Sequence, residues 1–186
     1  MPKHKIVVIG GSAGCLEVIL QVLPLLDANL RVPVILVVHR KNVAESLLAR
    51  LLDTKTILSV KEAEEKEPIL PGNIYIAPAD YHLLIEKDFT FSLDDSEKIN
   101  FSRPSIDVTF ESASRAYKNG LACILLSGAN ADGVEGLKFV KRNHGIAAIQ
   151  DPETADVSFM PLQALRQVAV DHVFKIGDIA GFINNF

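Results

Sequence analysis

Lys5-Ile6-Val7-Val8-Ile9-Gly10-Gly11-Ser12-Ala13-Gly14 decides the fold: a strand-length apolar run enters a glycine-rich turn, and Leu16 to Leu26 then carries apolar residues three and four apart. A buried strand that hands over directly to an amphipathic helix opens a strand-helix-strand unit. The turn also fits G-x-S-x-G, a pattern whose small neighbours leave a hydroxyl exposed while helix-start amides face an incoming oxyanion. Ser12 is therefore a candidate nucleophile, with a plain helix N-cap as its structural alternative.

Working outward, β-branched runs recur near 5–9, 34–38, 57–60, 74–77, 121–126 and 146–149. Segments of helical period lie between or after them: Val43 to Leu52, Pro104 to Lys118, Val134 to Arg142, and later 161–168 and 178–185. The alternation predicts a doubly wound α/β fold, a mainly parallel sheet with helices on both faces. His82 to Glu86 and Phe89 to Leu93 flank Lys87-Asp88 and read as an antiparallel hairpin added at one edge of that sheet. No repeat or linker divides the chain, so residues 1–186 are expected to form one domain.

The 186 residues are 48% hydrophobic and 23% charged, enough to build one sizeable core. The formal net charge is −4, and the longest charged cluster, Lys61 to Glu67, is mainly acidic, so nucleic acid is not an expected partner. That cluster reads as a solvated turn. Cys15 and Cys123 have neither metal-like spacing nor the density of a disulfide scaffold and are expected as free thiols. No apolar segment approaches the roughly 20 residues of a membrane span, and no signal-peptide pattern opens the chain. A soluble cytoplasmic protein is expected.

Ligands of open α/β sheets bind outside the carboxyl ends of the strands. Three polar residues fall there: Ser12 after the first strand, His39 closing Val34-Ile35-Leu36-Val37-Val38, and Asp132 after Leu125 to Ala131, opening a helix. A hydroxyl, an imidazole and a carboxylate at one rim make a candidate triad, in which His39 accepts the Ser12 proton and Asp132 fixes the imidazole tautomer. The structural alternatives are a His39 that merely satisfies a carbonyl and an Asp132 that forms a D-x-x-E capping box with Glu135. His4, His82, His144 and His172 show no clustered ligand spacing, so neither a metal nor a cofactor is expected.

These residues carry a family resemblance that runs over nearly the whole chain. Val8-Ile9-Gly10-Gly11-Ser12-Ala13-Gly14 resembles the nucleophile turn of the catalytic domain of chemotaxis protein-glutamate methylesterases (CheB type), and Val37-Val38-His39 its histidine strand. Leu70 to Pro78 with Asp80 and His82, then Arg103-Pro104-Ser105-Ile106-Asp107-Val108, are similar to its central strand with hairpin and to its following helix start. Leu125-Leu126-Ser127-Gly128-Ala129-Asn130-Ala131-Asp132-Gly133 resembles its aspartate loop, and Gln150 to Ala155 followed by Met160-Pro161 its last signature. The resemblance implies a serine esterase that removes methyl groups from glutamyl esters on the cytoplasmic helices of chemoreceptors. Ser12 would be nucleophile, His39 base and Asp132 orienter. Amides of Ala13 and the Ala129 region would hold the oxyanion, and Arg103, Gln150 and Met160 would line the cleft, the structural alternatives being a surface salt bridge for Arg103 and a satisfied strand end for Gln150. Glutamine deamidation is a further activity the resemblance implies.

The chain departs from the family pattern at three positions. Ala129 stands where methionine is usual, Cys15 follows Gly14 where glycine is usual, and Phe159 replaces a glycine before Met160-Pro161. Cys15 reads as a helix-packing thiol rather than a second nucleophile. Family members usually carry an N-terminal receiver domain, whereas the first strand here begins by residue 5; the alternatives this leaves are constitutive action, control by a separate regulator, or service in a sensory system other than flagellar chemotaxis. An alternative is a catalytically weak regulatory or binding module of the same fold. A nucleotide phosphate-binding turn is disfavoured, because Ser12 and Cys15 occupy the required glycine positions and no P-loop lysine follows.

Overall fold

The computed structural model describes residues 4–40 and 45–186. Six of the expected segments become parallel strands: β1 (Ile6–Gly11), β2 (Val34–Val38), β3 (Ser59–Glu62, two residues beyond the run expected near 57–60), β4 (Asn73–Ile76), β7 (Leu121–Leu125) and β8 (Ile146–Gln150). A seventh, β9 (His172–Phe174), completes the sheet in the order β3-β4-β2-β1-β7-β8-β9. Sequence reading missed β9 because only Phe174 of its three residues is buried, which leaves no periodic signal.

Alternate residues of the inner strands serve opposite cores, as expected of a sheet covered on both sides. Val7 and Ile9 of β1 pack with Val18, Ile19 and Val22 of α1 (Cys15–Val22) and with Ile179 and Ile183 of α6 (Ile176–Asn185). Ile6 and Val8 pack on the other side with Ile106, Phe110 and Ala113 of α3 (Ile106–Tyr117). Leu137 and Val140 of α4 (Val134–Arg142) and Met160 and Ala164 of α5 (Phe159–Gln167) extend that second layer. The helix expected over 43–52 is α2 (Glu45–Asp53), and positions 43 and 44 lie outside the described residues. The expected first helix stops at Val22, where Pro24 turns the chain into a 3-10 turn over Leu23–Leu25.

The hairpin is present, but not at the edge of the large sheet. β5 (His82–Ile85) and β6 (Phe91–Asp94) form a separate antiparallel pair. Side chains of α3 hold it: Thr109 Oγ1 donates to the Leu83 carbonyl at 2.8 Å, and Ser112 Oγ accepts the Ile85 amide at 3.1 Å. Backbone pairing with residues 66–69 holds its other side, the Lys66 amide donating to the Phe91 carbonyl at 2.8 Å and the Phe91 amide to the Glu67 carbonyl at 3.1 Å, and no local pattern in the hairpin specifies either attachment.

The chain travels outward from β1 through β2 to β3 and β4, then returns to the other side of β1 as β7. The carboxyl ends of β1 and β7 therefore flank the topological switch point, where open α/β sheets form their ligand crevice.

Candidate active site

Ser12 leaves β1 at that switch point, on a turn with almost no room for larger residues. A Cβ on Gly10 would meet Ile106 Cγ2 at 2.4 Å, and one on Gly11 would meet Cys15 Cβ at 2.5 Å. Gly14 has φ +81°, a left-handed conformation, and a Cβ there would lie 2.8 Å from Ser127 Oγ. Neither Ser12 nor Gly14 caps α1 through a side chain. The Ser12 hydroxyl, part-exposed, makes no hydrogen bond among the described residues. It is not the N-cap that its position allows.

The backbone around Ser12 is tied down from two neighbouring strands. Its amide donates to the Ser127 carbonyl at 2.9 Å, beyond β7, and the His39 amide, beyond β2, donates to the Gly11 carbonyl at 3.1 Å. Ser127 Oγ donates to the Ala13 carbonyl at 2.7 Å and accepts the Val157 amide at 2.9 Å. Gly128 donates its amide to the Val157 carbonyl at 3.0 Å, and its carbonyl accepts the Met160 amide at 3.0 Å. By contrast, the Ala13 and Ala129 amides make no hydrogen bond among the described residues, and both residues are exposed.

His39 and Asp132 are in direct contact. The imidazole Nε2 lies 2.7 Å from Asp132 Oδ2, with side chains 10% and 0% exposed. Nδ1 is 3.3 Å from Ser102 Oγ, and no hydrogen bond joins the ring to the Ser12 hydroxyl. Since Nε2 is committed to the carboxylate, Nδ1 is the nitrogen left to exchange a proton, with Ser12 next door on the adjacent strand end.

Asp132 does not form the capping box with Glu135 that its spacing suggests; Glu135 pairs with Lys138 at 2.5 Å. Its carboxylate instead caps α3, accepting the amides of Ile106 at 2.7 Å and Asp107 at 3.1 Å and the Ser105 hydroxyl at 2.9 Å. Asn100 Nδ2 adds a bond at 3.1 Å. Burial pushes this carboxyl upward, but the His39 hydrogen bond and the two helix-start amides outweigh it and hold Asp132 below the usual carboxylate range. A buried carboxylate that stays ionised can orient an imidazole and stabilise its cation.

The remaining candidates fall at different depths. Arg103 lies in the wall of a cleft of about 440 Å³ together with His39, Arg40, Asp80, Lys98, Phe101 and Ser102. Its Nη1 holds the carbonyls of Asp95 at 2.5 Å and Ser96 at 2.7 Å. Gln150 lies beneath the site: it is fully buried, Oε1 accepts the Ser127 amide at 3.0 Å, and Nε2 donates to the Thr154 carbonyl at 3.0 Å. Met160 is also buried, so close to Gly128 that a Cβ there would meet its Cε at 2.4 Å and Ser12 Cβ at 3.1 Å. Burial raises the Cys15 thiol to about 12, which keeps it protonated and inert.

Sequence reasoning gave no role to Asn100, Ser102, Ser105 or Asp107. Asp107 Oδ1 accepts the amides of Gly133 at 2.9 Å and Gly136 at 2.6 Å, at the start of α4. Ser105 and Asp107 did carry a legible helix-start signal, whereas nothing in the sequence points to Asn100 or Ser102. No cluster of three or more His, Cys, Asp or Glu side chains suits a metal ion among the described residues. Nor is any helix there long and apolar enough to cross a membrane.

Residues 7–183 match the sequence pattern of the CheB methylesterase family. The chain belongs to that family. A relative from Leptospira interrogans, named a putative protein-glutamate methylesterase/protein-glutamine glutaminase, is 45% identical over 178 residues, covering 96% of this chain and 92% of its own. The Thermotoga maritima protein-glutamate methylesterase/protein-glutamine glutaminase is 37% identical over 172 residues, 91% of this chain but 50% of its own length. The crystal structure of the Thermotoga maritima CheB methylesterase catalytic domain superposes with a TM-score of 0.94 at 35% identity, covering 98% of both chains. The CheB catalytic-domain fold therefore extends through β9 and α6, beyond the elements that hold the candidate triad.

Proposed function

We propose that this CheB-family chain is a protein-glutamate methylesterase that hydrolyses glutamyl methyl esters on the cytoplasmic helices of chemoreceptor-like proteins. The observation that carries this reading is the His39 to Asp132 contact at 2.7 Å beside Ser12, at the switch point of a fold shared with the methylesterase family. His39 Nδ1 takes the Ser12 proton as Oγ attacks the ester carbonyl, and Asp132 stabilises the imidazolium. The Ala13 and Ala129 amides are left for the oxyanion. Collapse of the tetrahedral species gives the acyl-enzyme and methanol, the proton returning from His39 to the methoxide. Water activated by His39 then releases the glutamate carboxylate and restores Ser12. Residues 1–186 act as one catalytic domain in the cytoplasm.

Arg103 shapes the wall of the cleft, while Met160, packed against Gly128, and Gln150 support the loops beneath Ser12. The names of the Leptospira and Thermotoga relatives favour a second activity, deamidation of receptor glutamines, which needs the same nucleophile and oxyanion donors with ammonia as leaving group. The test is methanol release from a methylated chemoreceptor cytoplasmic fragment by the parent protein and its Ser12→Ala variant. Turnover by the parent and loss in a folded variant is the expected result. No turnover by the parent on several fragments would overturn the esterase reading in favour of a regulatory module.

A further inference from the structure

Phe101 is 98% exposed and stands on the lip of the cleft that His39 lines. It occupies the second position of a two-residue turn. Ile99 and Ser102 pair as an antiparallel bridge and exchange backbone hydrogen bonds at 3.2 and 2.9 Å. Between them Asn100 has φ 52° and Phe101 φ 62°, both in the left-handed region, as in a type I′ turn. Asparagine suits the first of these positions and glycine the second. A phenylalanine there bears backbone strain, and with its ring in water no packing within the chain offsets it.

Both neighbours of Phe101 are fastened to the proposed catalytic groups. Asn100 Nδ2 donates to Asp132 Oδ1 at 3.1 Å and to Asp107 Oδ2 at 2.9 Å, and Ser102 Oγ lies 3.3 Å from His39 Nδ1. The turn thus holds the backbone that carries one strained, exposed aromatic side chain in place beside the imidazole. Strained residues that persist at clefts are commonly tied to function.

We infer that Phe101 is a specificity-determining contact: it seats an apolar side chain of the polypeptide that carries the ester, and so selects a protein over a small ester. The inference rests on the esterase reading above. A small ester in the cleft has no need of a ring that projects from the rim, whereas a polypeptide lying across the opening covers it. Rigid aromatic side chains are favoured anchors in such interfaces. Lys98 stands exposed on the same lip, a charge that suits a segment bearing glutamates beside the ester.

The test compares the parent protein with Phe101→Gly and Phe101→Tyr on two substrates, a methylated chemoreceptor cytoplasmic fragment and a small water-soluble carboxylic methyl ester. In Phe101→Gly, kcat/KM on the fragment should fall about tenfold, mainly through KM, and selectively relative to the small ester. Its melting temperature should not fall, because glycine relieves the left-handed strain. Phe101→Tyr keeps the ring and should restore the preference for the fragment. Fragment affinity is also measured with Ser12→Ala and with Ser12→Ala/Phe101→Gly, so the contact is read independently of turnover. Equal affinity in these two, or no binding by either, overturns the inference, as does a parallel loss on both substrates. Absence of methanol release by the parent, with fragment affinity still dependent on Phe101, would instead overturn only the esterase reading.

Discussion

Asp107, in the first turn of α3, accepts the Gly133 and Gly136 amides at the start of α4, while Asp132, just before α4, accepts the Ile106 and Asp107 amides at the start of α3. Each helix is capped by a carboxylate from the other. The exchange fixes the carboxylate that meets His39 to two helix ends at once, so the orienting group is part of the packing of the second core.

The two carboxylates respond to pH in opposite directions. Burial chiefly, with the charge of Asp132 adding to it, raises Asp107 from 3.8 to about 6, whereas Asp132 is lowered. A carboxyl raised on folding contributes stability below its unfolded value and loses it as pH rises through the folded one; a lowered carboxyl contributes above its unfolded value and loses it as pH falls. Stability should therefore climb through Asp132 in strong acid, then decline through Asp107 between about pH 4 and 6. Asp107→Asn should flatten that decline, an effect on the order of 3 kcal/mol. Urea unfolding across pH 4 to 7 checks it, and an identical decline in both proteins would assign it to another group.

Asn100 is the next test, because its amide joins the two carboxylates at 2.9 and 3.1 Å. Asn100→Gly keeps the left-handed turn but removes the bridge. A loss confined to positioning should lower kcat about tenfold on the methylated fragment with KM nearly unchanged. Asn100→Asp adds a carboxylate beside two others and should cost more. Steady-state kinetics on the same fragment separates the outcomes; a rise in KM at constant kcat would place Asn100 in binding instead.

Much of this was legible in the sequence, and the limits were physical. Strands buried on both faces, such as Val34 to Val38, announce themselves as continuous apolar runs, and Ser12, His39 and Asp132 each follow one. The capping exchange was not legible. Asp132 followed by Glu135 satisfies the local capping pattern, but α3 reaches the carboxylate first because Gly10 lets Ile106 approach β1. Asn100 and Ser102 were hidden because their turn lacks the glycine that marks a type I′ hairpin. The hairpin's place was hidden because Thr109 and Ser112, distant in sequence, hold it.

Gly128 and Met160 should behave as a coupled pair. A Cβ at Gly128 would meet Met160 Cε at 2.4 Å and Ser12 Cβ at 3.1 Å, so Gly128→Ala must displace one or both. It should cost about 1–3 kcal/mol by overpacking and reduce turnover through Ser12. Met160→Ala alone opens a cavity and should cost about 2–5 kcal/mol. Combined, the new methyl enters space that Met160 leaves, and the double variant should be more stable than the sum of the two losses predicts by about 1 kcal/mol or more. Chemical denaturation of all four proteins closes the cycle; strict additivity would mean that Met160 relaxes away from Gly128 at no cost.

Gln150 carries the last prediction, on support from beneath rather than contact with substrate. Its Oε1 satisfies the buried Ser127 amide at 3.0 Å, and the Ser127 carbonyl in turn holds the Ser12 amide at 2.9 Å. Gln150→Met keeps nearly the same volume but leaves that amide without an acceptor, a loss of about 1–3 kcal/mol. Gln150→Glu retains an acceptor but buries an acid beside the Thr154 carbonyl, which Nε2 now serves, so it restores only part of the stability. If Ser12 is positioned through this chain, kcat should fall with stability in Gln150→Met while the affinity of a methylated fragment, read in the Ser12→Ala background, stays level. A loss of affinity with kcat preserved would put Gln150 at the cleft surface, against its burial.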